Sequence, residues 1–212
     1  MEINGRDDYY RNPENVAWKE YDPTNLVKRV FEKGVVKPGQ KALDLGCGFG
    51  RNANFLQSKG VEVVGVNISK SELEIARDKA KEVGLQTTFV EASATDLPMA
   101  NESMDVVIDS GCTHMLDQEQ QKKAIEQIKR VLKVGGYVVY FGFSKDHPAS
   151  VNNTRISMYR NLEDIIKQFG EDYEVVSNET VEWKPLAGEQ ANFDVHKGLN
   201  VILRKKIKVT AL

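Results

Sequence analysis

The chain has 212 residues, 41% of them hydrophobic and 28% charged, with a net charge of −2. That length suits one domain with a proper core, and the charge balance argues against a generally basic nucleic-acid surface. No apolar run approaches membrane-spanning length, and two cysteines, Cys47 and Cys112, are too few for a disulfide framework or a four-cysteine zinc site.

Residues 1–12 are polar, carry Tyr9 and Tyr10 side by side, and lack a signal-peptide pattern. A reducing cytoplasm is the expected location. Between 13 and 33 the apolar positions Val16, Leu26, Val27, Val30 and Phe31 recur at helical spacing, with a break at Asp22-Pro23. Two short helices are expected, near 13–20 and 24–33. Lys37-Pro38-Gly39 then turns into a short apolar strand, Ala42, Leu43 and Leu45, interrupted by Asp44. The strand breaks into Gly46, Cys47, Gly48, Phe49 and Gly50, and a helix is expected over 51–58. Strand, glycine turn and helix begin a nucleotide-binding α/β unit. Glycine admits positive φ and close approach of backbone to a ligand, and the helix N-terminus presents N–H groups.

Residues 61–68, VEVVGVNI, read as a buried strand. Ser69 with Glu72 predicts a capping box for a helix whose stripe is Leu73, Ile75, Ala76, Ala80 and Val83, ended by Gly84. Strands are expected at 87–90 and 104–109. Asp117 and Gln120 cap a helix with the stripe Ala124, Ile125, Ile128, Val131 and Leu132, and a fifth strand covers 137–143. This alternation predicts a parallel sheet with right-handed crossovers. A short helix at 161–169 follows, then two strand-like stretches, 173–183 and 200–206, which suggest an antiparallel closing pair. Residues 184–199 show no pattern. His147 and His196 sit in polar contexts without metal-ligand spacing, so no metal is expected.

The glycines read G-x-G-x-G rather than the G-x-G-x-x-G of dinucleotide sites. With Asp44 ahead of them, LDLGCGFGRNA resembles motif I of the class I S-adenosylmethionine-dependent methyltransferases. VVGVNIS resembles that family's second-strand motif, FVEASATDLPM its adenine loop, MDVVIDSGCTHML its fourth-strand motif, and RVLKVGGYVVYFGF its R-x-L-K-P-G-G segment. The resemblance runs from about residue 38 to 206. Within the family, GRNA, the DSGCTHML segment and Asn153 to Ser157 are similar to small-molecule enzymes of the thiopurine and tellurite-resistance type.

The resemblance implies an α/β, Rossmann-like, mostly parallel seven-stranded sheet with helices on both faces and an antiparallel C-terminal strand pair. It also implies a helical leader or lid over 1–37 on a methyltransferase domain at 38–212. The cofactor it implies is S-adenosyl-L-methionine, with a modified, more anionic sulfonium as the alternative ligand. The cofactor-side residues are Asp44, Gly46, Cys47, Gly48, Gly50, Asn67, Ile68, Ser93, Ala94, Thr95 and Asp109. Two of them depart from the family pattern. Asn67 stands where an acid usually holds the ribose hydroxyls, and Ser93 where an acid usually meets the adenine amine. Exchanging a charged acceptor for an amide should weaken ordinary cofactor binding by about 1 kcal/mol, near fivefold.

Ligands of open α/β sheets bind beyond the carboxyl ends of the strands. There His114 is the candidate base, since an ordinary pKa near 6.5 suits removal of a proton from a thiol of about 8.5. Asp109 either orients the cofactor amine or His114, or caps the turn. Substrate-side candidates are Tyr9, Tyr10, Trp18, Cys112, Phe143 and Arg155; Tyr21 joins the aromatics of the leader. Cys112 reads as a small packing residue sooner than a nucleophile. The expected function is methyl transfer to a small-molecule acceptor, a thiol or other soft nucleophile among them. The alternatives are an RNA or protein acceptor, or a non-catalytic or modified-cofactor-binding protein of the same fold. No membrane or nucleic-acid partner is expected, and the chain is a monomer or homodimer.

Overall fold

The computed structural model describes residues 21–151, 158–184 and 193–208. In chain order these form α1 (Asn25–Glu32), β1 (Lys41–Leu45), α2 (Arg51–Ser58), β2 (Glu62–Asn67), α3 (Lys70–Glu82), β3 (Thr88–Glu91) and β4 (Met104–Ser110). A 3-10 turn at Thr113–Met115 leads to α4 (Gln118–Val131) and β5 (Leu132–Ser144). Then come β6 (Tyr159–Arg160), α5 (Leu162–Phe169), β7 (Tyr173–Trp183) and β8 (His196–Lys205). The expected helix at 13–20 lies outside the described residues.

One sheet runs in the order β3-β2-β1-β4-β5-β8-β7. β1 to β5 are parallel, while β8 is antiparallel to both β5 and β7. Period-2 alternation sends successive side chains to opposite faces. Ala42, Val106 and Ile108 join Val27, Val30, Ala53, Leu56, Leu73 and Ala76 under α1, α2 and α3. Leu43, Leu45, Val107 and Val138 join Ile125, Ile128, Ile165 and Phe169 under α4 and α5. Helices therefore cover both faces, which a sheet with two apolar faces requires. Among the described residues no helix is long and apolar enough to cross a membrane.

The register fixes where the site lies. Leu45 pairs with Val66 and with Asp109, Asn67 with Glu91, and Asp109 with Tyr140. The carboxyl ends of β1, β2, β3, β4 and β5 thus open on one edge. Between β1 and β4 the strand order reverses direction, which marks the switch point of the sheet.

Four features differ from the sequence expectation. β5 begins at Leu132, because Leu132 already pairs with Met104 across a register shift. β8 begins at His196, and its first residues pair with the ends of β5 and β7. An eighth strand, the two-residue β6, runs parallel to the tip of β5 through Phe143↔Tyr159 and Ser144↔Arg160. Last, the capping box of α3 is half formed. The Ser69 hydroxyl accepts from the Glu72 N–H at 3.2 Å, but the Glu72 carboxylate accepts from the Asn67 side chain instead. The boxes of α4, Asp117 with Gln120, and α5, Asn161 with Asp164, are complete.

Candidate functional site

The glycine loop joins β1 to α2. Gly46, Gly48 and Gly50 have φ of 66°, 52° and 77°, the left-handed region that glycine tolerates best. A Cβ on Gly46 would stand 2.7 Å from Cys112 Sγ, and one on Gly50 2.7 Å from Phe89 Cζ. Gly50 caps α2 without a side-chain hydrogen bond. The Cys47 N–H donates to the Val66 carbonyl at 3.0 Å and ties the loop to β2. Cys47 is buried, and desolvation, then the charges of Asp44 and Glu72, push its thiol well up.

Asp44 lies beneath this loop, 2% exposed. It accepts the Ala53 N–H at 3.0 Å. Desolvation pushes its carboxyl up to about 7, against the Ala53 bond and the nearby Arg51, with Asp109 adding to the rise.

At the end of β2 the Asn67 amide is turned inward. Its Nδ2 donates to Glu72 Oε2 at 2.8 Å, and its Oδ1 accepts from the Ile68 N–H at 2.8 Å. Glu72 is itself buried, whereas Ile68 is exposed beside it and offers an apolar surface. After β3, Ser93 shares a hydroxyl hydrogen bond of 2.8 Å with Thr95 and accepts the Thr95 N–H at 3.2 Å. Ser93, Ala94 and Thr95 are half-buried in this turn.

Asp109 ends β4, 1% exposed. It accepts the N–H groups of Cys112 at 3.1 Å and Thr113 at 3.0 Å, together with the Thr113 hydroxyl. It therefore caps the turn that carries His114. Desolvation holds its carboxyl above the usual range despite the Thr113 bonds and the charge of Arg160. His114 is buried, and desolvation, then Arg160, pull its imidazole down to about 4. That corrects the ordinary value near 6.5 that suited it as a base. Its Nδ1 has no hydrogen-bond partner among the described residues. The Cys112 thiol is pushed well up by desolvation and then by Asp109 and Asp44, which favours its protonated form.

Beyond His114 stands an aromatic wall. Phe143 meets His114 edge-on at 5.2 Å and stacks on Trp183 at 6.0 Å and 15°. His196 stacks on Trp183 at 5.0 Å, and His147 Nε2 lies 2.9 Å from His196 Nδ1. Tyr159 closes the wall, its ring 5.9 Å from Phe143. Arg160, 2% exposed, lies under it. Its guanidinium donates to Gln168 at 2.9 Å and faces the Tyr140 ring at 5.6 Å.

The structure thus brings Asp44, Gly46, Cys47, Gly48, Gly50, Asn67, Ile68, Ser93, Asp109, Cys112, His114 and Phe143 to one edge of the sheet. Tyr9, Tyr10, Trp18 and Arg155 lie outside the described residues. Tyr21 bonds Asn54 of α2 through its hydroxyl, so it is tied to the body of the domain. Sequence reasoning passed over Tyr159, Arg160 and Trp183, and left His147 and His196 as isolated polar residues. The helix-capping pattern flagged Glu72 without its role; the histidine pair, 49 residues apart, left no local signal.

These groups fit S-adenosyl-L-methionine. A buried acid raised to about 7 gains from a cationic amine beside it. The left-handed glycine loop and the exposed Ile68 offer backbone and apolar surface for the remainder.

Comparison with known proteins agrees. The family described as "Methyltransferase domain" matches residues 42–136. Methyltransferase GfsG of Streptomyces halstedii is 35% identical over 133 residues, 60% of this chain and 46% of that protein. The ubiquinone/menaquinone biosynthesis C-methyltransferase UbiE of Haemophilus ducreyi is 39% identical over 116 residues, 52% of this chain and 44% of that protein. The chain spans about half the length of these relatives, and neither name bears out the thiopurine or tellurite-resistance type. Among solved structures, one described as "Conversion of a Disulfide Bond into a Thioacetal Group during Echinomycin Biosynthesis" superposes with a TM-score of 0.79 at 22% identity, covering 96% of this chain and 92% of that one. A SAM-dependent methyltransferase from Methanosarcina mazei gives 0.72 at 18% identity, covering 88% of this chain and all of that one. By its domain match and its relatives the chain is similar to S-adenosyl-L-methionine-dependent methyltransferases, and it shares the fold of the solved ones.

Proposed function

We propose that the protein transfers a methyl group to a small-molecule acceptor seated between the glycine loop and the aromatic wall. S-adenosyl-L-methionine supplies the methyl group, already activated on a positively charged sulfur. The chain's part is to bind, align the acceptor and exclude water. The observation that carries the reading is the position of His114. It follows β4, the strand paired with β1 of the glycine loop, and its ring touches Phe143 of the wall. Asp44 and the loop glycines hold the amino-acid end of the cofactor, and Ile68 with the turn 93–95 bounds the adenine. A leader over residues 1–37 belongs to the same proposal; its residues 1–20 lie outside the described residues. Its described end is fastened by the Thr24 N–H donating to Asn52 of α2 at 2.9 Å.

The acceptor class follows from the basicity of His114. Burial holds His114 well below a thiol's ordinary pKa of about 8.5, so full proton transfer to it would be uphill. We therefore assign His114 a neutral hydrogen bond to the acceptor. The acceptor reacts as a soft nucleophile that ionises on its own, a thiol being the first choice. A flat ring acceptor is the second reading, supported by the half-buried rings of Phe143 and Trp183. A panel of small thiols and phenols, with S-adenosylhomocysteine formation as the readout, separates them. The thiol reading expects turnover to rise with pH through each thiol's own pKa. Turnover with phenols alone would leave the second reading, and binding without turnover on any acceptor would leave a binding protein.

A further inference from the structure

We propose that Tyr140 is a positioning residue for His114: through one bound water its phenol hydroxyl donates to Nδ1 of the imidazole and so keeps the ring proton on Nε2. This deepens the methyl-transfer reading above, in which a neutral His114 holds the acceptor by a hydrogen bond. Tyr140 lies within β5, fully buried, in the core that packs under α4 and α5.

Two buried atoms carry the argument. The Tyr140 hydroxyl and His114 Nδ1 each lack a hydrogen-bond partner, and both side chains are buried. The glycine at 142 brings them together. Residues 140 and 142 share one face of the strand. A Cβ on Gly142 would overlap the Tyr140 hydroxyl, and would stand 2.8 Å from Tyr140 Cζ and 3.2 Å from His114 Cβ. The hydroxyl therefore fills the space that a side chain at 142 would take, and it does so beside the base of the His114 ring. A buried donor or acceptor is costly to leave unpaired. Buried water joins such groups where they stand too far apart to bond directly.

The protonation states suit a donor facing an acceptor. Burial pushes the Tyr140 phenol above its ordinary range, against the charge of Arg160, with Asp109 and Asp164 adding to the rise, so the hydroxyl keeps its proton. Burial and then Arg160 hold His114 at about 4, so its imidazole is neutral at working pH. A neutral imidazole has one N–H and one bare nitrogen, and a donor held beside Nδ1 makes that the bare one. The backbone of the turn is already fixed from two sides. Asp109 accepts the N–H groups of Cys112 and Thr113, and Arg160, facing the Tyr140 ring at 5.6 Å, donates to the Thr113 carbonyl at 3.4 Å. The tautomer is what remains for Tyr140 to set.

Nitrogen-15 NMR of the histidine rings tests this on ligand-free wild type, Tyr140→Phe and Gly142→Ala. The chain has three histidines, and His114→Asn assigns the resonance. In wild type His114 should carry its proton on Nε2, with Nδ1 at the position of a hydrogen-bonded acceptor. Tyr140→Phe keeps the ring and removes only the hydroxyl. Its Nδ1 resonance should move toward that of an unbonded acceptor, and His114 should take up a proton at higher pH than in wild type, because the bond that favoured the neutral ring is gone. Gly142→Ala, whose methyl displaces the hydroxyl, should give the same signature. The resonances of His147 and His196, paired with each other at 2.9 Å, should stay in place in Tyr140→Phe, which separates one lost bond from general loosening. With an acceptor from the panel, kcat/KM should fall about fivefold in Tyr140→Phe. A wild-type proton on Nδ1, an Nδ1 resonance and titration unchanged in Tyr140→Phe, or an unchanged kcat/KM there would each overturn the assignment. The spectra need neither cofactor nor acceptor. The expected spectra from a wild type that turns over no acceptor would leave the link between Tyr140 and His114 standing and overturn the methyl-transfer reading alone.

Discussion

Two buried ionisable residues set how the site should respond to pH. Asp44 stands at about 7 because burial removes water from its carboxyl. The folded state then holds a proton that the unfolded chain has lost, between about pH 4 and pH 7. Stability contributed by Asp44 is therefore greatest below the unfolded pKa and declines as pH rises through about 7. Asp44→Asn should raise the melting temperature of the ligand-free protein most above pH 7, a difference that thermal melts across pH will show. The same variant should lose cofactor affinity. In wild type, affinity for a ligand bearing an ammonium should rise with pH by up to about tenfold per unit below 7 and level off above it. His114 works in the opposite sense. Its pKa is depressed to about 4, so its contribution is present above about 6.5 and is lost as pH falls toward 4. In catalysis we expect His114→Ala to lower kcat/KM by about tenfold, the worth of one hydrogen bond, with partial recovery in His114→Asn. A loss of about 10²–10⁴ in both variants would instead make His114 a general base.

At the scale of elements, the cap residues make a clean comparison. Asp117 starts α4 and accepts the Gln120 N–H at 2.8 Å. Asp117→Ala should cost about 1 kcal/mol by denaturant titration and leave cofactor affinity unchanged. Such caps, the glycine loop and the parallel strands were legible because each is written in adjacent residues. What stayed hidden depends on pairing between distant segments. The box at Ser69 and Glu72 was readable as a pattern, but its diversion to Asn67 depends on where β2 ends. Arg155 drew notice, whereas the described arginine under the wall is Arg160, buried because β6 adds to the tip of β5. His196 looked like a loop residue because the segment before it has no periodicity. It becomes a wall residue only when β8 lies along β7, opposite Trp183.

Across the whole molecule, one edge of one sheet gathers the proposed cofactor side from β1, β2 and β3 and the proposed acceptor side from β4, β5, β7 and β8. The division follows from topology. The reversal of strand order between β1 and β4 opens the crevice, and the antiparallel pair β8-β7 extends the far side with aromatic rings. Gly48 sits in the glycine loop with φ of 52°, where a branched side chain is strained. The most direct measurement is mass spectrometry of an acceptor panel after incubation with S-adenosyl-L-methionine whose transferable methyl group is deuterated. The account predicts a small-molecule product carrying the intact labelled methyl, formed by wild type and lost in a Gly48→Val variant that still melts cooperatively. Label transfer undiminished in that variant, or a wild-type protein that binds the labelled compound and methylates no acceptor, would contradict it.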